Sequence, residues 1–316
     1  MKLIFYGTPY FAVPTLKKIV DNGFDVLAVV TAPDKPAGRG RELQMSEVKI
    51  AALTLGLTVL QPTSLKSAEF IETIHQLNPD VQVVVAFRML PEAVWSFPQF
   101  GTINLHASLL PDYRGAAPIN YAIINGEQKT GLTTFRLKHE IDTGDVLLQT
   151  EITIDAEDNA GSLHDKMLSP GADLMIKTLN GIANGNLMPT PQNRVSKKVA
   201  PKIQKETGHI KFETMTANQV HLLVRGLNPF PGSFATLNLA GNAITFKISK
   251  GKIGSNSQLE AGQIYTNAKN LIEIGCLEGN YQILECQIPG KKRLLVDEFL
   301  RGFNFLPDYS FKDSTK

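Results

Sequence analysis

The sequence has few cysteines and a single tryptophan. Among its 316 residues only Cys276 and Cys286 are cysteines, and both lie in apolar C-terminal segments. Two cysteines are too few for a disulfide framework, and they lack the spacing of metal ligands. We therefore expect both cysteines, like Trp95, to lie in the core, and we predict no metal site.

The sequence also lacks an excess of one charge and a long hydrophobic run. Its 32 Lys and Arg residues and 30 Asp and Glu residues leave a net charge of +2, so nucleic-acid binding would have to depend on local patches. No apolar run is long enough to cross a membrane, and the turn at Gly7-Thr-Pro9 comes before a signal region could form. We expect a cytoplasmic protein with no membrane partner.

Apolar, β-branched runs alternate with helically spaced apolar residues over the first part of the chain. The pattern predicts strands at 2–6, 26–31, 58–60, 81–86 and 101–105, and helices at 11–22, 46–55, 69–77 and 167–182, the last interrupted early by Ser169-Pro-Gly171. Such alternation is typical of a mostly parallel sheet with helices on both faces. Gly7-Thr-Pro9 is not the G-x-G-x-x-G of a dinucleotide site, but ligands of such sheets still bind outside the carboxyl ends of the strands.

The second part of the chain has a different pattern. A polar stretch at 189–208 is basic, which is typical of a linker, although charged linkers are often only solvated. The basic residues of this stretch are Arg194, Lys197, Lys198, Lys202 and Lys205. A helix at 217–226 precedes short β-rich runs at 233–239, 243–250, 262–266, 271–276 and 281–288, whose even spacing predicts a small barrel. We therefore predict domains at 1–188 and 209–316, joined by the linker 189–208.

The stretch from Asn104 to Pro118 carries the strongest chemical signal. Asn104 and His106, at i and i+2 of an extended segment, point to the same face and can reach one reacting atom. The downstream sequence Ile141-Asp-Thr-Gly-Asp145 adds a carboxylate. Transfer of an acyl group to an amine needs an oxyanion donor, a proton carrier and a carboxylate that orients the carrier.

Each of these residues also has a purely structural interpretation. A lone Asn-x-His pair would cap backbone groups at a strand end, and Asp142 before Thr-Gly would form a turn. The segment 108–115 would be a rigid loop, because Pro111 fixes φ and Gly115 permits unusual backbone angles. The three features occur together, which favours the catalytic interpretation.

Together, these motifs resemble the formyltransferases that use 10-formyltetrahydrofolate. The resemblance is carried by Asn104-x-His106, by Ser108-Leu-Leu-Pro-x-Tyr-Arg-Gly115 and by Asp142-Thr-Gly144. The segments 5–9, 11–14, 33–40 and 227–232 resemble the branch of that family that acts on methionyl-tRNA. One segment departs from the family pattern: Ala86-Phe-Arg-Met-Leu-Pro91 is one residue shorter, with an arginine and no glycine.

The resemblance implies a fold and a reaction. The fold is α/β, with a Rossmann-like, mostly parallel sheet domain followed by a small OB-like β-barrel domain that binds tRNA. The reaction moves a formyl group from 10-formyltetrahydrofolate to the α-amino group of initiator methionyl-tRNA, through amine attack. The resemblance implies that Asn104 donates to the oxyanion and that His106 takes part in proton transfer. Asp142 would then stabilise the charged imidazole of His106.

The resemblance also implies binding residues and a partner. We predict a monomer that binds methionyl-tRNA and needs no metal. The residues expected to bind the folate are Arg88, Met89, Leu90, Ser108, Leu109, Leu110 and Pro111. The residues expected to contact tRNA are Lys35, Arg39 and Arg41 in a Gly/Pro-rich loop after a strand, with Lys197 and Lys198 in the linker.

Three alternatives are weaker. The same chemistry could act on another amine, such as an amino sugar nucleotide, but the loop at 33–41 and the predicted barrel argue against it. A noncatalytic folate- or RNA-binding protein would not need the set of Asn104, His106 and Asp142. A nicotinamide oxidoreductase would need the glycine fingerprint that is lacking.

Overall fold

The chain divides into two compact units. The computed structural model describes residues 1–37, 42–192, 196, 198–239, 242–255 and 259–311. The first unit comprises Met1–Pro118, Lys129–Thr153 and His164–Ala200, and the second comprises Ile119–Gln128, Ile154–Leu163 and Pro201–Lys316. The domain boundaries expected from the sequence, after residues 188 and 208, stay a prediction.

The first unit is built on short and medium strands connected by helices. Its strands are β1 (Lys2–Gly7), β2 (Asp25–Val30), β3 (Lys35–Ala37), β4 (Glu42–Gln44), β5 (Val59–Leu60), β6 (Val81–Val85), β7 (Thr102–His106), β8 (Arg114–Gly115), β9 (Lys129–Arg136), β10 (Val146–Thr153) and β11 (Val199–Ala200). The helices up to residue 183 are α1 (Val13–Asp21), α2 (Glu47–Thr54), α3 (Ala68–Leu77), α4 (Glu92–Trp95), α5 (Pro118–Ile124) and α6 (Ala160–Ala183), with a 3₁₀ turn at Tyr10–Ala12. Residues 119–124 of α5 and 160–163 of α6 belong to the second unit.

Seven of these strands form one sheet in the order β10-β9-β7-β6-β1-β2-β5. The five strands from β7 to β5 are parallel, whereas β9 is antiparallel to both β7 and β10. The predicted mostly parallel, Rossmann-like sheet is confirmed. The predicted strands do not include β9 or β10, which place an antiparallel edge beside the strand that carries Asn104 and His106.

The central strands are apolar because the sheet is covered on both faces. All five residues of β6 are buried, and Leu3, Ile4 and Phe5 of β1 have no exposed surface. Full burial of one such side chain contributes about 1.5–3 kcal/mol. Two of the flanking helices, α2 and α3, begin at serines: Ser46 accepts from the Lys49 amide and Ser67 accepts from the Phe70 amide.

One predicted helix differs from the structure. The break expected at Ser169-Pro-Gly171 is wrong, since α6 continues through Pro170. A Cβ atom on Gly171 would lie 3.1 Å from the Leu105 side chain, so the glycine lets the helix approach the sheet closely. Buried residues along α6, including Met167 and Leu174, supply packing energy that outweighs the weak local propensity.

The second unit contains an antiparallel sheet. Its strands are β12 (Ser233–Leu239), β13 (Asn242–Ile253), β14 (Ile264–Thr266), β15 (Ile272–Gly275), β16 (Asn280–Gln287) and β17 (Leu294–Leu295). Its later helices are α7 (Ala217–Leu227) and α8 (Val296–Leu300), with a 3₁₀ turn at Glu206–Gly208. The order is β12-β13-β16-β15-β14, with β17 on β16, and the sheet curls into a half-barrel. The predicted fold class, a Rossmann-like, mostly parallel sheet domain followed by a small OB-like β-barrel domain, is confirmed.

The core of the second unit is rich in aromatic side chains. Phe246 meets Phe299 and Phe311 edge to face, with ring centroids 5.6 and 5.3 Å apart. Cys276 and Cys286 are buried in this core, which confirms the prediction for both. Burial raises the pKa of each thiol to about 12, so the folded protein keeps them as neutral packing groups.

No α-helix within the described part of the chain has the length and apolar character needed to cross a membrane.

Candidate active site

Two polar side chains lie at the carboxyl end of a central strand. Asn104 and His106 occupy alternate positions of β7, and Asn104 pairs with Val84 of β6 and with Phe135 of β9. Alternate positions share one face of a strand, as the sequence predicts. The side-chain amide of Asn104 has no hydrogen-bond partner within the described ranges, so it remains available to a ligand.

The imidazole of His106 is held by its own loop. Its Nε2 atom lies 2.9 Å from the carbonyl oxygen of Tyr113. A carbonyl oxygen only accepts, so Nε2 carries the hydrogen and donates it. The other nitrogen, Nδ1, lies 3.9 Å from Oδ2 of Asp142. The edge of His106 also packs against the Phe135 ring, with centroids 6.4 Å apart. Nδ1 is therefore the nitrogen that can gain or lose a proton.

The segment Asp142-Thr-Gly144 presents the carboxylate. Asp142 has a φ of +55°, a left-handed conformation that aspartate tolerates better than most residues. Its Oδ2 atom accepts a hydrogen bond from the Gly115 amide at 2.9 Å. A Cβ atom on Gly144 would lie 1.6 Å from the Arg136 carbonyl oxygen, so only glycine fits this close approach. The turn and catalytic interpretations of Asp142 are therefore compatible.

The loop after β7 is locked by hydroxyl groups. Ser108 Oγ donates to the Asp112 carbonyl oxygen at 2.6 Å. Thr133 Oγ1 donates to the Ser108 carbonyl oxygen at 2.6 Å and accepts from the Leu110 amide at 3.1 Å. Ser108 and Leu110 are buried, so they hold the loop in place, whereas Leu109 and Pro111 are partly exposed.

The other predicted folate-binding residues follow β6. The Arg88 guanidinium donates to the carbonyl oxygens of Pro62 at 2.5 Å and Thr63 at 3.2 Å. The Met89 side chain is 68 % exposed, while Leu90 is buried in the core. Because β6 is parallel to β7, this segment leaves the sheet beside the end of the strand that bears Asn104 and His106.

The predicted tRNA-binding residues are only partly described. Lys35 is exposed in β3, which pairs with β4, whereas Arg39, Arg41 and Lys197 lie outside the described residues. The Lys198 ammonium lies 5.9 Å from the centre of the Tyr113 ring, and its carbonyl oxygen accepts from the Tyr113 amide at 2.8 Å.

Hydrogen bonds hold Asp34, the residue directly before strand β3. Asp34 accepts hydrogen bonds from Lys49 at 2.5 Å and from Gln61 at 2.8 Å. The bond from Lys49, followed by that from Gln61, lowers the pKa of the Asp34 carboxyl below its ordinary value. These contacts anchor the start of the predicted tRNA loop.

Gln192 is a further residue of the site that no sequence motif predicts. Gln192 bonds to Arg114 and to the backbone of Asp142 and Gly144. It lies in the predicted linker and belongs to no motif, so no local pattern could have found it. Within the described ranges, no three His, Cys, Asp or Glu side chains are grouped to hold a metal ion.

Comparison with known proteins identifies the family of the chain. The profile of the family described as "Formyl transferase" matches residues 1–179, and that of "Formyl transferase, C-terminal domain" matches residues 202–304. The chain belongs to the formyl transferase family. The resemblance seen in the motifs is thereby confirmed, and the N-terminal family match contains Asn104, His106 and Asp142.

Curated members of the family match this chain over nearly its whole length. A methionyl-tRNA formyltransferase of Bacteroides fragilis is 45% identical over 318 residues, covering 99% of this chain and 98% of that protein. A methionyl-tRNA formyltransferase of Flavobacterium johnsoniae is 46% identical over 307 residues, covering 96% and 97%.

Solved structures of the formyl transferase fold are also similar. The N-formyltransferase from Helicobacter canadensis, in complex with folinic acid and dTDP-3-aminofucose, has a TM-score of 0.67 at 21% identity and covers 91% of this chain and 99% of its own. HypX from Aquifex aeolicus in complex with tetrahydrofolic acid has a TM-score of 0.66 at 17% identity, covering 98% of this chain and 50% of its own. At these identities the likeness concerns the fold.

Proposed function

We infer that the chain transfers a formyl group from 10-formyltetrahydrofolate to the α-amino group of methionyl-tRNA. The observation that carries this inference is the near-complete match to curated methionyl-tRNA formyltransferases at about the same length. The cluster of Asn104, His106 and Asp142 at one strand end supports it, because acyl transfer to an amine needs these three kinds of group.

The site has polar groups that fit a folate donor. The Asn104 amide lacks a protein partner within the described residues, so it is free to meet a formyl oxygen. The donor supplies the formyl carbon that the amine attacks. We propose that it is held by the two segments beside the end of β7, whose members are Arg88, Met89, Leu90, Ser108, Leu109, Leu110 and Pro111. In this set the residues with surface available to a ligand are the exposed Arg88 and Met89 and the partly exposed Leu109 and Pro111.

Asn104 stabilises charge on the reacting oxygen. As the amine attacks, negative charge develops on the formyl oxygen, and a preorganised amide donor lowers the energy of that state. The Asn104 side chain makes no hydrogen bond to a described residue. It can therefore bond the oxyanion without first breaking a hydrogen bond within the protein.

His106 and Asp142 move and balance the proton. The attacking amine must be neutral, and the departing folate nitrogen must gain a proton, so a group that changes charge between about pH 5 and 8 is required. Since Nε2 of His106 is held by the Tyr113 carbonyl, Nδ1 carries this proton. The Asp142 carboxylate, 3.9 Å from Nδ1, stabilises the imidazolium by charge attraction.

The remaining predictions concern the tRNA and the whole protein. We propose that residues 1–188 form the catalytic domain, that residues 209–316 form a tRNA-binding domain, and that 189–208 link them. Lys35, Arg39 and Arg41 would contact the acceptor arm, and Lys197 and Lys198 would contact phosphates. The protein would act as a cytoplasmic monomer on the initiator tRNA during translation initiation.

One assay tests this function. The protein is incubated with 10-formyltetrahydrofolate labelled in its formyl group and with methionyl-tRNA or an amino sugar nucleotide. We expect label on the methionine of the tRNA. Label on the sugar alone would establish the alternative amine as the acceptor, and folate binding without transfer of label to either acceptor would indicate a noncatalytic binding protein.

A further inference from the structure

Gln192 connects two loops that hold the reacting groups. Its Nε2 atom donates to the carbonyl oxygens of Asp142 at 3.0 Å and of Gly144 at 2.6 Å. Its Oε1 atom accepts from Nε and Nη2 of Arg114 at 3.2 and 2.6 Å. Gln192 is 50 residues from Asp142 and 78 from Arg114 in the chain, so these bonds join three distant segments.

The amide of Gln192 can take only one orientation. A primary amide has two N–H donors and a carbonyl oxygen with two lone pairs, and all four positions are occupied here. A flipped amide would point its N–H groups at the guanidinium donors of Arg114 and its oxygen at the two carbonyl oxygens. These hydrogen bonds therefore decide which atom of the amide is the nitrogen and which is the oxygen. A carboxylate at this position would place an oxygen against the carbonyl oxygens of Asp142 and Gly144 and repel them.

These bonds bear directly on the reacting pair. Asp142 has the uncommon left-handed conformation, which persists only when surrounding contacts hold it. Gln192 holds its carbonyl oxygen, and the Gly115 amide holds its carboxylate. Arg114, on the other side of Gln192, adjoins Gly115 and follows Tyr113, whose carbonyl oxygen orients His106. The same amide thus braces both the carboxylate and the segment that holds the imidazole.

Backbone pairing extends the brace along the segment that contains Gln192. Strand β11 is parallel to β8, with Val199 beside Arg114 and Ala200 beside Gly115. A Cβ atom on Gly115, whose φ is +123°, would lie 2.4 Å from the Ala200 carbonyl oxygen. Gln192, Val199 and Ala200 of the predicted linker thus contact the loops that carry Arg114, Gly115 and Asp142.

We propose that Gln192 is a positioning residue for formyl transfer, setting the Asp142 carboxylate relative to Nδ1 of His106. The proposal rests on the proposed function. Gln192 has no hydrogen bond to His106. It acts by holding the loop that carries Asp142. Misplacement of a reacting group by about 1 Å can cost roughly 100-fold in rate, so the effect of losing Gln192 falls on turnover rather than on substrate binding.

The test compares Gln192→Met, Gln192→Glu and the control Gln204→Met. Gln204 is an exposed glutamine of the same predicted linker. We expect both Gln192 variants to lose about 10- to 100-fold in kcat, with KM for the folate and the tRNA changed less than about threefold. Gln192→Glu keeps a partner for Arg114 and loses only the hydrogen bonds to the Asp142 loop. It therefore tests the proposal even if Gln192→Met folds poorly. Gln204→Met should keep the kcat of the unmodified protein.

Coupling to Asp142 provides the second measurement. If Gln192 acts through Asp142, adding Gln192→Glu to Asp142→Ala should reduce kcat by less than about twofold further. A multiplicative loss, or a Gln192→Glu variant with normal kcat, would overturn the proposal.

Amide hydrogen exchange tests whether Gln192 holds the Asp142 loop, independently of catalytic activity. The Gly115 amide donates to the Asp142 carboxylate, so its exchange should speed up in both Gln192 variants and stay unchanged in Gln204→Met. Unchanged exchange in the Gln192 variants would overturn the brace even if the enzyme is active. If the unmodified protein transfers no formyl group, the proposed function fails, while exchange at Gly115 still decides the role of Gln192.

Discussion

Asn104 and His106 differ in the hydrogen bonds that their side chains make within the protein. Nε2 of His106 is bonded to the Tyr113 carbonyl, whereas the Asn104 amide is bonded to no described residue. A polar group withdrawn from water without a partner costs about 1–3 kcal/mol. A partly buried, unpaired amide beside a bonded imidazole is typical of a donor kept for a ligand, and here the ligand proposed is the formyl oxygen.

Replacement of Asn104 by alanine should therefore affect turnover more than binding. We expect Asn104→Ala to lose roughly 10²–10³ in kcat, because the missing hydrogen bond forms mainly in the transition state. Steady-state kinetics with labelled folate measures this loss, and the Kd for tetrahydrofolate serves as the control, expected to change little. Near-normal turnover in this variant would remove Asn104 from the mechanism.

Among the structural elements, the turn at 142–144 depends on one glycine. Gly144 approaches the end of β9 so closely that a Cβ atom would overlap the carbonyl oxygen of Arg136. That neighbour is backbone and cannot rotate away, so a side chain at 144 must push the turn off the strand. The carboxylate of Asp142, two residues earlier, would move with it.

Gly144→Ala should accordingly lose about 100-fold or more in kcat, as expected for a misplaced reacting group. Gly302→Ala is the matched control, since a Cβ atom there meets nothing within 4 Å, and it should retain normal kcat. Initial rates of the two variants decide the point. Equal activity of both would show that the turn tolerates displacement.

The loop between β3 and β4 carries a separate prediction about tRNA. Phosphates that contact Lys35, Arg39 and Arg41 would release counterions, so alanine at all three positions should weaken tRNA binding. The slope of log K against log[salt] should also become shallower by up to about 0.9 per lost phosphate contact. Binding at several salt concentrations measures both effects, with folate affinity as the unchanged control. An unaltered slope would exclude this loop as the acceptor-arm contact.

At the scale of the whole molecule, the second unit contains a partly buried histidine, His221. Burial, and then the charge of Arg225, lower the pKa of His221 below its ordinary value of 6.5, while Glu157 and a bond to the Gly251 backbone oppose them. Nδ1 of His221 is buried without a partner in the described part of the chain, so no acceptor stabilises a proton there.

The lowered pKa sets the direction of a pH effect. Since the folded form resists protonation, the unfolded form binds more protons once the pH falls below about 6.5, and the free energy of unfolding falls with it. We expect the second unit to unfold at lower urea concentration at pH 5.5 than at pH 7.5. Thiol labelling of Cys276 and Cys286, both buried in the core of that unit, measures its unfolding.

Two substitutions assign this effect to one histidine. His221→Gln should reduce the difference between the two pH values, whereas substitution of the exposed His139 should leave it unchanged. An undiminished difference in His221→Gln would assign the effect to other groups.

The sequence alone determined the features that repeat or lie close together in the chain. The apolar runs of β1, β2 and β6 are local, so each strand could be predicted within one or two residues. The spacing of Asn104 and His106 predicted their common face because side chains alternate along a strand. Asp142 was found through a short motif.

Tertiary structure decided what depends on distant partners. The continuity of α6 through Pro170 depends on packing against the sheet, and the antiparallel edge of β9 and β10 depends on pairing with β7. The role of Gln192 depends on segments 50 and 78 residues away. Local periodicity reports which face of an element is apolar, whereas a hydrogen bond between distant segments leaves no period in the sequence. Only the folded chain brings Gln192 to the Asp142 loop.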